Sequence, residues 1–406
     1  MANGHFDSRN SLDAFFFFAV VKSRTFIPVP RTLLVLVCLC LCGCLTESRD
    51  PAPIGRPRQN VPASTTQPNP IADLVLIYDG GQARQPWTVE RFKPYVYREA
   101  NGKFEWLYDG FLFLDRFAKS GSRFSPISNR RDANKADWQS LIDNYFAPDQ
   151  SIAALDQLLD QLAAQGHTPL RKRKIVIALP TPITGSKPDH LEISSEWGEL
   201  NGRKLDFHKA EDRLAAAKWY VDETLKRWGE KHYRHLELVG FYWLFERAWT
   251  TDHPPEISHY IRAKGSSMYW IPSWPQGRTN WQQYGFDFVY QQPNYFFHRQ
   301  PTPADRLEQA CDFAERCGTT MEMEFNGDLL TRPQFLQYFD EYLEAYKQHH
   351  VWDKRPVAYY EGAGAWLEMS KSNDPAVKKR YDALANIIVA RQRKADEGFI
   401  FRQDVK

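Results

Sequence analysis

Thr319-Thr320-Met321-Glu322-Met323-Glu324-Phe325 alternates two carboxylates with three bulky apolar side chains, the period of two that belongs to a β-strand. Met321, Met323 and Phe325 share one face, Glu322 and Glu324 the other. Seven further β-rich runs accompany it: Leu74–Tyr78, Gly110–Leu114, Lys174–Leu179, Leu236–Leu244, Ser267–Ile271, Phe286–Gln291 and Val357–Tyr360. Helix-like stretches separate them, and no dinucleotide fingerprint marks an open doubly wound sheet. The pattern predicts an α/β fold, a single-domain (β/α)8 TIM-type barrel over residues 71–395.

The helices carry their own punctuation. Ile152, Leu155, Leu159 and Leu162 share a face ahead of Gly166, and Leu214, Ala217, Val221, Leu225 and Trp228 precede a stop at Gly229. Thr302-Pro303 opens a helix with Leu307, Ala310, Cys311 and Ala314 inside and Gly318 beyond its end. Phe335, Phe339, Tyr342 and Tyr346 mark the next, and Asp374-Pro375 starts the last. Helical periodicity is poorest after strands one and five.

In such a barrel the apolar set of strand seven turns to the helices, which aims Glu322 and Glu324 at the axis. Charges there are costly unless paired or used. The competing account is an internal ion-pair network with Arg or Lys of a neighbouring strand. It fits Glu322, the deeper of the two, better than Glu324.

Active sites of these barrels lie at the C-terminal ends of the strands. The polar residues there are Asp79 after strand one, Asp115 after strand two, and Tyr242, Trp243 and Glu246 at the end of strand four. Gln292, Asn294 and Tyr295 end strand six, Glu322, Glu324 and Asn326 strand seven, and Glu361 strand eight. Trp243, Trp249, Trp270, Trp274, Trp281, Tyr290 and Tyr295 cluster around strands four to six, and sugar rings stack on such aromatics. Trp274 and Trp281, flanked by Pro, Gln, Gly, Arg and Asn, are the expected platforms; others of the set belong to the core.

A carboxylate after strand four facing one after strand seven suits glycoside hydrolysis, in which one acid protonates the leaving oxygen and the other attacks the anomeric carbon or activates water. The plan resembles many retaining glycosidase barrels. That resemblance implies Glu246 as acid/base and Glu324 as nucleophile. It departs from them at Phe245, where those families usually place Asn.

The remaining chemistry is sparse. No G-x-S-x-G elbow, H-E-x-x-H helix or Walker loop occurs, and Gly362-Ala363-Gly364 reads as a tight turn. No zinc-ligand spacing exists, and neither a metal nor a cofactor is expected. A net charge of +2 gives no electrostatic case for a nucleic-acid partner. Cys311 and Cys317 lie six apart on a predicted helix, too far for an easy disulfide.

The other four cysteines, Cys38, Cys40, Cys42 and Cys44, crowd one apolar run. Arg31, the short run Leu33–Leu41 and Leu41-Cys42-Gly43-Cys44 describe a signal peptide with a lipobox, over residues 1–44, with Cys44 acylated. The run is far shorter than the ~20 residues a spanning helix needs. Met1–Pro30, with Phe15–Phe18 and acidic residues, is unlike a signal, so translation is expected to start downstream of Met1. Residues 45–70, rich in Pro, Ser, Thr, Arg and Gln, read as a flexible tether, and 396–406 as a tail. The expectation is an exported lipoprotein of the cell envelope, touching the membrane through its lipid only.

Longer motifs carry a family resemblance. Gly240-Phe241-Tyr242-Trp243-Leu244-Phe245-Glu246, Trp270-Ile271-Pro272, Gly285-Phe286-Asp287 with Gln292-Pro293-Asn294-Tyr295-Phe296-Phe297, and Met321–Phe325 resemble the bacterial domain-of-unknown-function family DUF4855. Trp106–Leu114 and Lys218-Trp219-Tyr220 fit as well, so the resemblance spans Leu74 to about Arg393. It implies a glycosidase-like barrel among exported glycan-processing proteins. The functional expectation is a hydrolase of a poly- or oligosaccharide, with a non-catalytic carbohydrate-binding lipoprotein as the alternative.

Overall fold

Eight parallel strands close into a ring: β1 (Asp73–Tyr78), β2 (Gly110–Leu114), β3 (Arg173–Leu179), β4 (Leu236–Trp243), β5 (Ser267–Trp270), β6 (Phe288–Gln291), β7 (Thr320–Glu324) and β8 (Val357–Tyr360). Each pairs with its successor in the chain, and β8 returns to β1 with Asp73 opposite Val357. The (β/α)8 TIM-type barrel expected from the strand count is the observed fold. This computed structural model describes residues 68–126, 130–182, 196–247, 254–274, 281–297 and 305–403. The lipobox with Cys44, most of the tether, Trp249 and Thr302-Pro303 lie outside them.

The helical layer consists of α1 (Val89–Val96), α2 (Lys135–Tyr145), α3 (Ser151–Ala164), α4 (Ala210–Lys231), α5 (Pro254–Ala263), α6 (Arg306–Cys317), α7 (Pro333–Gln348), α8 (Val351–Lys354), α9 (Ala365–Lys371) and α10 (Pro375–Asp396). Strands enclosed by helices outside and side chains inside are buried on both faces, as all six residues of β1 are. Asp374 caps α10 by accepting the Ala376 N–H at 2.7 Å, and Gly318 ends α6 at φ 65°. One stop differs: α4 passes through Gly229 and ends at His232, which takes the left-handed conformation at φ 51°.

The two connections without helical period are indeed unusual. Between β1 and β2 stand short α1 and an antiparallel hairpin, Tyr97–Ala100 with Lys103–Trp106. Between β5 and β6 the described residues hold only a 3-10 turn, Trp281–Tyr284. A second hairpin, Glu196–Leu200 with Arg203–Asp206, precedes α4.

The N-terminal face is closed by buried polar contacts. Asp73 accepts Arg391 Nε and Tyr359 OH at 2.7 Å and Gln392 Nε2 at 2.8 Å, tying α10 to the first strand. Arg391 Nη2 also donates to the Ala72 carbonyl at 2.7 Å. Asn69, buried where the chain enters this face, donates to Tyr290 OH at 2.7 Å and accepts the Ile71 N–H. Cys311 and Cys317 are free and buried. No helix of the described residues is long and apolar enough to cross a membrane.

Candidate active site

Phe325 packs against Phe339 of α7 with ring centroids 5.3 Å apart, which fixes the apolar face of β7 on the helices. By alternation Glu322 and Glu324 turn to the barrel axis, each only 2% exposed. The phenols of Tyr78 (β1), Tyr242 (β4) and Tyr360 (β8) come close enough to Glu322 to feel its charge. These strands lie on different sides of the ring, so Glu322 sits near its centre.

Glu322 has the harshest environment of the three acids. Burial first, then Glu324 and Glu246, push its carboxyl well above the usual carboxylate range, and Oε1 has no hydrogen-bond partner among the described residues. Burial also pushes Glu324 up to about 7, and Glu246 adds to the effect. Hydrogen bonds pull Glu324 back: Tyr342 OH of α7 donates to Oε2 at 2.8 Å and the Tyr295 N–H at 3.4 Å. Glu246, on the turn after β4, is raised by burial, an effect offset by Arg116, the side-chain amide of Gln292 and Arg247. The three acids therefore form one electrostatic cluster at the C-terminal mouth. Among the described residues no Lys or Arg forms an ion pair with any of them, so the ion-pair account of Glu322 finds no support.

Other residues expected in the site face elsewhere. Trp243 follows Tyr242 and so points to the helical layer, fully buried, with its indole N–H directed at the Arg247 carbonyl. Trp281 is 3% exposed and donates to the Cys317 carbonyl at 2.8 Å, so it pins a turn and is no open platform. Asp79 lies under α3, where Ser151 Oγ donates to it at 2.5 Å. Glu361 caps α9 by accepting the Gly364 and Trp366 N–H groups at 2.8 and 2.9 Å; burial raises it to about 7. Asn326 accepts the Asp328 N–H at 2.8 Å and starts a 3-10 turn. Asp115 spends both oxygens within the protein, on Arg84 Nε and on the N–H groups of Arg116 and Phe117. The strand ends are polar for two reasons: some groups serve the mouth, and others cap the chain as it turns out of the barrel.

Tyr242, Gln292 and Glu246 do meet at the mouth. Asn294 braces it, since its Oδ1 accepts the Trp274 N–H at 2.7 Å and its Nδ2 donates to Gln292 at 3.4 Å. Tyr295 contributes its backbone, because its ring and hydroxyl turn to Tyr338 and Glu341 of α7. Trp274 is half-buried, edge-on to Phe313 at 5.2 Å. The sequence reading missed Tyr78, Arg84, Arg116, Tyr342 and Tyr360. Tyr78, Arg116 and Tyr360 stand one residue from positions it named; Tyr342 was assigned to the core of its helix.

No group of three His, Cys, Asp or Glu among the described residues is arranged to hold a metal ion. A groove of about 360 Å³ between α7 and α10 lies on the helical flank, where Asp340, Glu344 and Asp353 are interspersed with Lys347, Arg391 and Lys394.

Residues 73–386 match the family described as Domain of unknown function (DUF4855). No curated protein matches the chain. Among solved structures, a mutant tryptophan synthase α-subunit from Pyrococcus furiosus is 11% identical over 78% of this chain and 98% of that one, at a TM-score of 0.35. The PgaB (BpsB) glycoside hydrolase domain from Bordetella bronchiseptica is 10% identical over 78% and 99%, at 0.38. Likenesses this remote say nothing of substrate or reaction.

Proposed function

The chain belongs to the DUF4855 family, and for it we propose a glycoside hydrolase acting on a poly- or oligosaccharide through Glu246 and Glu324. The observation that carries the reading is the gathering of Glu246, Glu322 and Glu324 at the mouth, with no Lys or Arg in an ion pair with any of them among the described residues. Carboxyls this close cannot all ionise near neutrality, which divides them into proton holders and carboxylates. Glu322, with no donor on Oε1, keeps its proton. Glu324 is oriented by Tyr342 and the Tyr295 N–H as a carboxylate, the form a nucleophile or base requires.

In the reaction Glu246 gives its proton to the glycosidic oxygen as the C–O bond breaks. Glu324 either bonds to the anomeric carbon or takes a proton from the water that does. Tyr78, Tyr242 and Tyr360, neutral at all working pH values, supply hydroxyls to the sugar.

Reducing-end release from a panel of bacterial, plant and host polysaccharides tests this. Glu324→Gln should lower turnover roughly hundred- to ten-thousand-fold with glycan binding and the fold kept. Full turnover in that variant sinks the assignment, and saturable binding without release in the native protein replaces it with the binding-lipoprotein reading. Export with acylation at Cys44 belongs to the same proposal; a lipid label lost in Cys44→Ser checks it.

A further inference from the structure

The β1–β2 side of the mouth carries two guanidinium groups that the carboxyl cluster does not pair with. Arg84 is clamped along one edge: its Nε donates to Asp115 Oδ2 at 2.6 Å, and its guanidinium lies over the Tyr78 ring at 4.9 Å. Asp115 is itself 1% exposed and fixed through its other oxygen by the Arg116 and Phe117 N–H groups, at 2.7 and 3.1 Å. Gly81 completes the clamp, because a Cβ there would stand 2.2 Å from the Asp115 carboxyl. Both Nη groups of Arg84 are left without a partner among the described residues, on a side chain 32% exposed.

Arg116 follows directly. Its half-buried guanidinium has no hydrogen bond or ion pair among the described residues. It lies close enough to Tyr78, Tyr242, Tyr360 and Glu246 to act on all four, which puts it between β1, β4 and β8, over the opening. Partly desolvated guanidinium groups with N–H donors to spare offer an anion charge-assisted hydrogen bonds. Guanidinium forks match the paired oxygens of carboxylate and sulfate groups.

We infer that Arg84 and Arg116 form a subsite for an anionic substituent of the sugar, a carboxylate or a sulfate, opposite the carboxyl cluster. The inference rests on the reading of this mouth as a sugar site and names the class of sugar. Asp115 is then a positioning residue, acting through Arg84.

Direct titration of the full chain with glucuronate, glucose 6-sulfate and glucose tests it. At least one anion should bind about tenfold or more tightly than glucose, and the tighter of the two identifies the substituent. Arg116→Gln should reduce that affinity to the level of glucose. Gly81→Ala should weaken it too, by displacing Asp115 and with it Arg84, while Arg116→Gln gives up no hydrogen bond or ion pair among the described residues and should keep the fold. Anions that bind no better than glucose, or binding unchanged in Arg116→Gln, overturn the subsite. Binding is read without turnover, so an absence of hydrolysis counts against the hydrolase reading alone.

Discussion

Tyr342 donates its hydroxyl to Glu324 across 2.8 Å, so a helix outside the barrel biases the ionisation of a group inside it. Tyr342→Phe removes that donor and leaves Glu324 with the Tyr295 N–H. The hydrogen bond favours the carboxylate, so its loss raises the pKa of Glu324 further above about 7. The acid limb of the pH–activity profile should move up by about one unit, with a smaller change in KM than in kcat. A profile that stays in place removes Glu324 from the rate-determining ionisation.

Stability should fall as pH rises through the weakly acidic range. Glu324 and Glu361 titrate near 7 in the folded chain, against ~4.3 when unfolded. Between those values the folded state holds protons that the unfolded state has released. Unfolding free energy therefore decreases from about pH 4.5 to about 7 and levels off above, by at most about 3–4 kcal/mol per group. Urea unfolding at pH 5 and pH 8 measures the difference, and Glu361→Gln should remove part of it.

The base and the mouth should respond independently. Arg391→Met strips Asp73 of its cation and should cost about 3–5 kcal/mol. Asp73→Asn in the same chain should recover part of the loss, because the uncompensated charge is gone. Neither change touches the carboxyl cluster, so any glycan affinity of the folded fraction should persist.

Two tryptophans in the same stretch should give opposite phenotypes. Trp281→Phe gives up the hydrogen bond to Cys317 and should lower stability by about 1–3 kcal/mol with little effect on glycan binding. Trp274→Ala should do the reverse, since that ring is half-buried beside the mouth. Calorimetric melting and sugar titration of both variants decide the matter.

The period of two in β7 was enough to place Glu322 and Glu324 on the inner face, because a strand offers only two faces and the apolar set claimed one. Helix ends with Pro or Gly were similarly plain at Asp374-Pro375 and Gly318. Asn101-Gly102 and Asn201-Gly202 were just as readable as hairpin turns, all four residues having φ between 53° and 75°, yet a barrel template left no room for them. What the sequence could not separate was a strand-end acid that faces the mouth from one that caps a helix. Asp79, Asp115 and Glu361 look like Glu246 on paper and differ only in which way the chain turns after the strand. Arg116 was hidden for the same reason, because its place over the opening is a property of space alone.

Asn69 enters the barrel at the end where Asp73 and Arg391 meet, far side to the acids. Anything that holds this protein from upstream of residue 68 therefore pulls on the floor of the ring.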